Sequence, residues 1–260
     1  MRGVDAIVLV AMDEEAAPFL AAASVASEQR TVGQARQWEI ELDGRSVLLV
    51  RTGIGLINAA GGVTAAILRA GDAAPLIVSA GTAGGLGTEV RVGDVVVGGE
   101  YVQTDADARA FGYALGQVPG MLPRYPGYAP ALVDGLVATL PDGSEVTVRR
   151  GLIVSSDTFV SSAHVERVRS DFPGALATDM ESVALAQTAH VHGLPFVSVR
   201  GISDLCAPGE FEAHVDDAAD RSAAVVRALL DALPVAEPIA REVLPVKIRT
   251  AATGEIQRRR

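Results

Sequence analysis

The stretch Leu76-Ile-Val-Ser-Ala-Gly-Thr-Ala-Gly-Gly85 joins a short apolar run to a glycine-rich segment. Such a run, bounded by glycines, is typical of a strand buried on both faces of a sheet. We therefore predict a strand at residues 76–79 that ends in a loop at residues 81–85. Glycines let backbone amides approach a ligand closely, and the Thr82 hydroxyl could hold a water or a sugar oxygen. A phosphate-binding loop would also need a Lys, which is missing here, so an ordinary tight turn is the alternative.

Runs of similar character recur along the chain and alternate with helical patterns. We predict further strands at residues 7–10, 94–97, 146–154 and 195–199, and a hairpin of strands 38–42 and 46–51 around Asp43-Gly44. Helices are predicted after Asp13 and at residues 58–69, 163–170, 179–190 and 217–233, whereas residues 101–128 have an irregular pattern. This alternation indicates an α/β fold. We expect a single domain at residues 1–238, with a mixed central β-sheet flanked by helices on both faces, and a C-terminal extension of unknown role at residues 239–260.

The composition restricts what the chain can bind. Its 260 residues are 49% hydrophobic, which suffices for a sizeable core, and its net charge of -10 argues against a nucleic-acid groove, because phosphate binding needs clustered cations. No stretch reaches the roughly 20 apolar residues of a membrane helix, and the apolar run at residues 6–11 is too short for a signal peptide. The single cysteine, Cys206, fits a reducing compartment. We therefore expect a soluble, cytoplasmic protein with no membrane or nucleic-acid partner.

Two acidic residues follow predicted strands. Glu15 comes just after the first strand, and Asp204 follows the strand at residues 195–199, with Ser203 beside it to orient the carboxyl. Ligands of open α/β sheets bind beyond the C-terminal ends of the strands, and an acid in an apolar pocket can donate a proton near neutral pH. The plainer alternatives are that Glu15 complements a helix dipole and that Asp204 caps a turn or pairs with Arg200.

Asp179 and Glu181 flank Met180 at the start of a predicted helix. Asp179 is best explained there as a helix cap. Glu181 is harder to explain structurally, because it follows a thioether that can cover an apolar ligand face and because a carboxylate commonly holds a ribose diol. Together with Glu15, Asp204 and the glycine-rich segment, these residues indicate a pocket for a neutral, hydroxyl-rich small molecule.

Aromatic, histidine and cysteine residues give weaker signals. Phe159 and Phe211 are core candidates that could also stack on a heteroaromatic ligand. The four histidines show no metal-ligand spacing, since His190 and His192, two residues apart on a helix, face different ways. Cys206 lacks an obvious base neighbour. We therefore expect no metal site.

Eight segments in a fixed order carry a resemblance to a known family. They are Ala11-Met-Asp-Glu-Glu15, Thr52-Gly-Ile-Gly55, Gly81-Thr-Ala-Gly-Gly-Leu86, Gly93-Asp-Val-Val, Asp105-Ala-Asp107 with Ala110-Phe-Gly-Tyr113, Gly151-Leu-Ile-Val-Ser155, Asp179-Met-Glu181 and Arg200-Gly-Ile-Ser-Asp204. In order and spacing the set resembles the 5'-methylthioadenosine/S-adenosylhomocysteine nucleosidases of the purine nucleoside phosphorylase superfamily. The resemblance implies a nucleoside phosphorylase-like fold and hydrolysis of an N-ribosidic bond that releases adenine, with no metal or cofactor.

The resemblance also implies roles for individual residues. Glu15 resembles the general base that activates water, and Asp204 the acid that protonates purine N7, oriented by Ser203. Glu181 is the expected acceptor of the ribose hydroxyls, with Met180 packed beside the sugar. The other expected substrate contacts are the ribose and water site (Met12, Thr82, Arg200), the adjoining Ala83, Gly84 and Asp179, the purine-stacking Phe159 with Val160 reading the adenine edge through its backbone, and the lining of the 5'-substituent pocket (Ile54, Phe111, Tyr113, Phe211). Pro119 matches a loop that reaches a neighbouring subunit, which implies a homodimer.

Departures from the family pattern bear on substrate choice. Thr82 replaces a frequent Ser, and Asp179 replaces a frequent Glu and has no expected catalytic role. The loop between Asp204 and Phe211 is shorter than usual, and Ala108 is smaller than the typical apolar residue. Because the last two changes border the 5' pocket, the preference among methylthioadenosine, adenosylhomocysteine and 5'-deoxyadenosine stays open.

Three other functions stay open as well. A hydrolase of futalosine or 6-amino-6-deoxyfutalosine would use the same Glu15 and Asp204 with a different 5' pocket. A purine nucleoside phosphorylase would need a phosphate clamp of several Arg, and Glu15 would repel the phosphate. A non-catalytic nucleoside-binding protein would bind its ligand without turnover.

Overall fold

A computed structural model describes residues 3–128, 136–206 and 211–233, and this part of the chain contains eleven strands and five α-helices around one mixed sheet. The strands are β1 (Ala6–Val10), β2 (Val25–Ala26), β3 (Arg30–Val32), β4 (Ala35–Leu42), β5 (Arg45–Arg51), β6 (Leu76–Gly85), β7 (Val95–Gln103), β8 (Tyr125–Pro126), β9 (Val148–Ser155), β10 (Ala175–Asp179) and β11 (Phe196–Asp204). The helices are α1 (Asp13–Ala22), α2 (Leu56–Ala70), α3 (Val165–Asp171), α4 (Ser182–Val191) and α5 (Phe211–Ala232), with a short 3-10 helix at Arg109–Phe111.

Strand β1 shows why helices cover both faces of the sheet. It is buried along its whole length and pairs in parallel with β5 on one side and β6 on the other. Successive side chains of a strand point to opposite faces. Ala6, Val8 and Val10 therefore join a core cluster that includes α1 and α5, while Ile7 and Leu9 join one that includes α2 and α4. The predicted α/β class, with helices on both faces of a mixed sheet, is confirmed.

Five strands of the sheet close on themselves. The pairing runs β10-β9-β7-β11-β6, and β10 returns to pair with β6 through Ala177 opposite Gly85 and Thr178 opposite Gly84. This last contact is antiparallel, and it involves the last residues of β6 and of β10. The C-terminal end of β10 is thereby brought beside the glycine-rich end of β6.

The turn between β4 and β5 confirms the predicted hairpin. Asp43 and Gly44 both have positive φ, 50° and 78°, as a tight two-residue turn between antiparallel strands requires. The paired strands extend from Ala35 to Arg51. The hairpin places β5 beside β1 and starts α2 from the chain segment that follows β5.

Several predicted boundaries are wrong near the closed part of the sheet. The glycine-rich segment is no loop, because β6 continues through it to Gly85. Asp179 ends strand β10 and does not begin a helix, since α4 starts at Ser182. Likewise, β11 continues to Asp204, five residues beyond the predicted end. Pairing partners on both sides hold these strands despite their many Gly, Ala and polar residues, whose intrinsic strand propensity is low.

Two further expectations concern the C-terminal extension and the absence of a membrane helix. The domain boundary at residue 238 and the extension at residues 239–260 lie outside the described residues. Among the helices that are described, none combines the length and apolar character that crossing a membrane requires.

Gly201 lies where strand β11 packs against helix α5. A Cβ at this position would stand 2.7 Å from the Ala218 carbonyl carbon and closer still to its oxygen. Because both groups are backbone, neither can yield without moving an element. We expect Gly201→Ala to lower the free energy of unfolding by about 1–3 kcal/mol, the usual cost of overpacking, as measured by urea denaturation.

Gly61→Ala is the matched control for this substitution. Gly61 lies in helix α2, and a Cβ there would meet nothing within 4 Å. Alanine in an open helical position should stabilise the protein by up to about 1 kcal/mol. Equal unfolding free energies for the two variants would contradict the packing argument.

Candidate active site

A pocket of about 200 Å³ opens at the C-terminal ends of β1, β6, β10 and β11. The segments after β5 and β9 complete its wall. Most of the site residues predicted from the sequence line this one pocket. Its lining consists of Ala11, Met12, Glu15, Ile54, Thr82, Ala83, Gly84, Thr158, Phe159, Val160, Thr178, Asp179, Met180, Glu181, Ser203 and Asp204.

Glu15 occupies the gap beyond the end of strand β1 and is 2% exposed. Its Oε2 accepts hydrogen bonds from the Ala11 and Met12 amides at 2.8 and 3.1 Å. Its Oε1 accepts from the amide and the hydroxyl of Thr82 at 2.8 and 3.0 Å. All four partners are donors, as an ionised carboxylate requires. Gly81 permits the close approach, because a Cβ there would lie 2.6 Å from Glu15 Cδ.

Asp204 ends strand β11 on the other side of β6 and is 3% exposed. Its Oδ2 accepts a hydrogen bond from the Ser203 hydroxyl at 2.9 Å, and its Oδ1 accepts one from the Cys206 amide at 2.8 Å. Cys206 has a φ of 62°, a left-handed conformation that is uncommon outside glycine. Two donors from residues close to Asp204 in the chain, the Ser203 hydroxyl and the Cys206 amide, thus fix the orientation of its carboxyl.

Arg200 lies beneath the pocket, 1% exposed. Its Nε is 2.8 Å from Asp179 Oδ2, and its Nη1 is 3.5 Å from Glu181 Oε2. The described ion pairs of Arg200 are with these two carboxylates and not with Asp204, so the alternative pairing raised by the sequence is wrong. The guanidinium also donates to the hydroxyls of Ser79, Ser182 and Ser198.

Asp179 is fully engaged by protein groups. Besides Arg200, its carboxylate accepts hydrogen bonds from the Ser155 hydroxyl at 2.5 Å and from the Ser182 hydroxyl. The amides of Glu181 and Ser182, at the start of α4, also face it at 3.4 and 3.2 Å. Asp179 therefore accepts hydrogen bonds at a helix start as a cap does, although its own backbone belongs to β10.

Glu181 has fewer partners than Asp179. Its Oε1 accepts a hydrogen bond from the Gly55 amide at 3.0 Å, and its Oε2 faces Arg200. Burial raises the pKa of the Glu181 carboxyl to about 7, against the opposing charge of Arg200 and with the like charges of Asp179 and Glu15. Glu181 thus titrates near neutral pH at the wall of the pocket.

Apolar side chains form the outer part of the pocket. Met12 and Met180 lie beside the carboxylates, and Ile54, Phe159 and Val160 extend the wall outward. Ile54 is 50% exposed and Phe159 57% exposed, so both present apolar surface that a bound ligand would cover. The arrangement suits a ligand that is polar at one end and flat or apolar at the other.

Four predicted contacts are not part of this pocket wall. Arg200 lies behind the wall and acts on it through Asp179, Glu181 and the Thr82 carbonyl, to which its Nη1 donates at 3.5 Å. Phe111, in the short 3-10 helix, is 82% exposed, and Tyr113 is partly exposed. The side chain of Phe211 lies outside the described residues.

A set of buried hydroxyl groups supports the acids and was not predicted from the sequence. Single serines within otherwise apolar strand segments were the available signal, because buried polar groups must be hydrogen-bonded. The Tyr101 hydroxyl belongs to the same network, donating to the Gly98 carbonyl at 2.9 Å and accepting from the Ser198 amide at 2.7 Å. The missed residues are Ser79, Tyr101, Ser155, Ser182 and Ser198, together with the pocket-lining Ala11, Thr158 and Thr178.

No group of three or more His, Cys, Asp or Glu side chains in the described ranges of the chain is arranged to hold a metal ion. The acids of the pocket are instead tied to amides, hydroxyls and one guanidinium. The chemistry available there is proton transfer and electrostatic stabilisation by carboxylates.

Comparison with known proteins agrees with this geometry. The sequence pattern of the phosphorylase superfamily matches residues 5–231. A 5'-methylthioadenosine/S-adenosylhomocysteine nucleosidase of Anoxybacillus flavithermus is 35% identical over 230 residues, 87% of this chain and 97% of that protein. The structure of such a nucleosidase from Colwellia psychrerythraea in complex with adenine has a TM-score of 0.82 at 30% identity, covering 89% of this chain and 96% of the other. Futalosine hydrolase of Helicobacter pylori has a TM-score of 0.79 at 26% identity, covering 89% and 99%.

The raised pKa of Glu181 makes a prediction about stability. Folding disfavours the charged form, so the stability that Glu181 contributes is fully present below its ordinary pKa of 4.5 and is lost as the pH rises through about 7. We expect Glu181→Gln to raise the free energy of unfolding by roughly 1–3 kcal/mol at pH 8, as measured by urea denaturation. The gain should shrink at pH 5, where the wild-type carboxyl is already protonated.

Glu28→Gln serves as the control, because Glu28 is exposed. Its effect on the unfolding free energy should be small and the same at both pH values. A Glu181→Gln variant that is less stable than the wild type at pH 8 would show that the ionised carboxylate stabilises the fold.

Proposed function

This chain belongs to the phosphorylase superfamily and, within it, to the 5'-methylthioadenosine/S-adenosylhomocysteine nucleosidases, and on that premise we propose that it hydrolyses the N-ribosidic bond of these nucleosides. Water adds to C1' of the ribosyl group, the bond between C1' and purine N9 breaks, and adenine leaves. The products are adenine and the 5'-substituted ribose with a hydroxyl at C1'. The reaction needs neither phosphate nor a cofactor.

The observation that carries the proposal is that Glu15 and Asp204 line one pocket. Glu15 contacts Thr82 of strand β6, and Asp204 pairs in register with Gly84 of the same strand. Two residues along a strand span roughly 7 Å, so the two acids meet neighbouring parts of β6 at the wall of one pocket. One acid and one base across a glycosidic bond is the logic of sugar hydrolases in general.

Each carboxyl has its own task in the proposed reaction. Glu15 removes a proton from the attacking water, and its four donors hold the charged carboxylate in place before substrate arrives. Asp204 gives a proton to purine N7, so the base leaves as a neutral molecule. Ser203 and the Cys206 amide hold the Asp204 carboxyl in the orientation for this transfer.

The ribose and purine contacts follow from the arrangement of the wall. Glu181 accepts the ribose hydroxyls, with Met180 against the sugar, while Arg200 and Asp179 hold Glu181 from behind. Ionised carboxylates near the sugar stabilise the positive charge that develops on it. Phe159 stacks on the purine and the Val160 backbone reads its edge.

The remaining proposed contacts belong to the 5' end of the pocket and to a second subunit. The family resemblance assigns Ile54, Phe111, Tyr113 and Phe211 to the 5'-substituent site and Pro119 to the segment that reaches the neighbour; of these, Ile54 lines the pocket of the single chain. Ile54 and Phe111 are 50% and 82% exposed in the single chain, and a partner subunit would cover such apolar surface. We therefore propose a homodimer. We further propose that the protein is located in the cytoplasm and acts in methionine salvage, and that residues 1–238 form the nucleosidase unit.

Two related reactions compete with this proposal. Futalosine hydrolysis has a specific observation in its favour, the structural likeness to the Helicobacter pylori enzyme, and it would use the same two carboxyls. Phosphorolysis has less support, because no Arg or Lys occurs among the described residues that line the pocket. An anionic Glu15 at the nucleophile's position would also repel phosphate.

Adenine release tests the proposed reaction directly. We expect methylthioadenosine to yield free adenine in phosphate-free buffer, with no stimulation by added phosphate and with no ribose 1-phosphate formed. Asp204→Asn should lower kcat by about 10²–10⁴-fold, the usual effect of removing a catalytic acid, while the exposed Asp72→Asn control keeps wild-type kcat. A strict phosphate requirement, or normal turnover in Asp204→Asn, would exclude the proposal. Running adenosylhomocysteine, 5'-deoxyadenosine and futalosine in parallel would rank the substrates.

The oligomeric state can be checked separately. We expect the purified protein to sediment as a dimer at micromolar concentration, because burial of exposed apolar side chains such as Phe111 and Ile57 stabilises association. Ile57→Asp tests whether helix α2, on which Ile57 is 83% exposed, belongs to the contact, since the charge should then shift the protein toward monomer. A monomeric wild type with full activity would contradict the proposed homodimer.

A further inference from the structure

Strands β6 and β11 are parallel neighbours. An amide of β6 that faces β11 therefore donates to the carbonyl of the residue before its register partner. Ile77 pairs in register with Phe196, and its amide donates to the carbonyl of the preceding residue, Pro195, at 2.9 Å. Residues two and four further along β6 point their amides to the same side. By this rule the Gly81 amide, whose register partner is Arg200, faces the Val199 carbonyl.

A serine from helix α5 bridges these two backbone groups. The Ser222 hydroxyl accepts a hydrogen bond from the Gly81 amide at 3.0 Å and donates one to the Val199 carbonyl at 2.9 Å. Ser222 is 1% exposed, so water does not compete for these groups. One turn earlier on α5, Ala218 packs against Gly201, which keeps the helix close enough for the serine to reach both strands.

The Ser222 hydroxyl bonds the backbone segment that holds Glu15. Gly81 has a φ of 145°, and its Cα faces the Glu15 carboxylate so closely that a Cβ would lie 2.6 Å from Glu15 Cδ. The next residue, Thr82, supplies two of the four donors to that carboxylate. Ser222 and Glu15 thus accept hydrogen bonds from the amides of two consecutive residues of β6, Gly81 and Thr82.

We propose that Ser222 is a positioning residue for Glu15, acting through the backbone of Gly81 and Thr82. Without its hydroxyl, the Gly81 amide and the Val199 carbonyl lose the group that bridges them to helix α5. The Gly81–Thr82 backbone can then shift and draw the Thr82 amide and hydroxyl away from Glu15. The inference rests on the proposed hydrolysis, in which Glu15 acts on water and does not bind the purine.

The test compares turnover with ligand binding in Ser222→Ala. We expect kcat for methylthioadenosine to fall by roughly ten- to a hundredfold, the range that a displacement of about 1 Å can cause. KM and the Kd for adenine should change by no more than about twofold, because the acid and the purine contacts are untouched. Ser222→Thr, which keeps the hydroxyl, should restore a large part of kcat.

Two further variants separate positioning from general damage. Gly81→Ala displaces the same carboxylate without touching helix α5, so it should reproduce the loss of kcat even if Ser222→Ala does not fold. Thr188→Ala removes a hydroxyl that bonds the Ala184 carbonyl within its own helix, α4, and should leave kcat unchanged. In the Glu15→Gln background, adding Ser222→Ala should slow the reaction no further.

Crystal structures of the wild type and of Ser222→Ala give a readout that does not depend on turnover. The contact between Glu15 Oε1 and the Thr82 amide should be lost in the variant. A variant that keeps this contact, or a folded variant with wild-type kcat, overturns the inference. Parallel losses of kcat and adenine affinity would also overturn it, since they indicate general damage. A wild type that releases no adenine would refute the proposed function, while the two crystal structures would still decide the role of Ser222.

Discussion

The site depends on one buried cation. The Arg200 guanidinium is 1% exposed and lies between Asp179 and Glu181. Taking such charges out of water costs several kcal/mol each, and the ion pairs offset this cost together with the serine hydroxyls and the Thr82 carbonyl, which accept the remaining guanidinium hydrogens. Backbone amides and the Thr82 hydroxyl, rather than a cation, hold the Glu15 carboxylate. Several carboxylates around one cation leave the pocket electrostatically negative, which favours a ligand that becomes positive as it reacts.

The closed part of the sheet is what makes this concentration of charge possible. Strands β10 and β6 run in opposite directions. If the sheet were open, their C-terminal ends would therefore lie at opposite ends of the sheet. The antiparallel contact of Thr178 with Gly84 brings the end of β10 back to the end of β6, and the parallel pairing of Asp204 with Gly84 adds the end of β11. The ends of β10 and β11 therefore bring Asp179 and Asp204 to the glycine-rich end of β6, which Glu15 also contacts. Small residues at these positions let the strands approach without filling the space that a ligand needs.

The sequence revealed the parts whose side chains carry a periodic or chemical signal. Strand β1, the hairpin turn at Asp43 and Gly44, and helix α2 follow from apolar patterning and turn chemistry. The acids were found because charge in apolar surroundings demands an explanation. Strand β10 and the full length of β6 were missed, since their Ala- and Gly-rich residues are held by pairing partners far away in the chain. The serine network and the engagement of Asp179 with Arg200 were invisible for the same reason, because both depend on contacts between distant segments.

Glu181 and Asp179 differ in how completely the protein satisfies their buried carboxylates. Burial raises the pKa of Glu181 to about 7 despite the neighbouring Arg200, so the fold pays a free-energy penalty for the ionised form. Asp179 shows that the same chain can satisfy a buried carboxylate fully when that is all it must do. A carboxylate held with incomplete partners at the wall of a pocket is in the state that an incoming hydroxyl donor would relieve. Binding of a diol would supply the missing donors, which links the stability lost at Glu181 to affinity for a sugar.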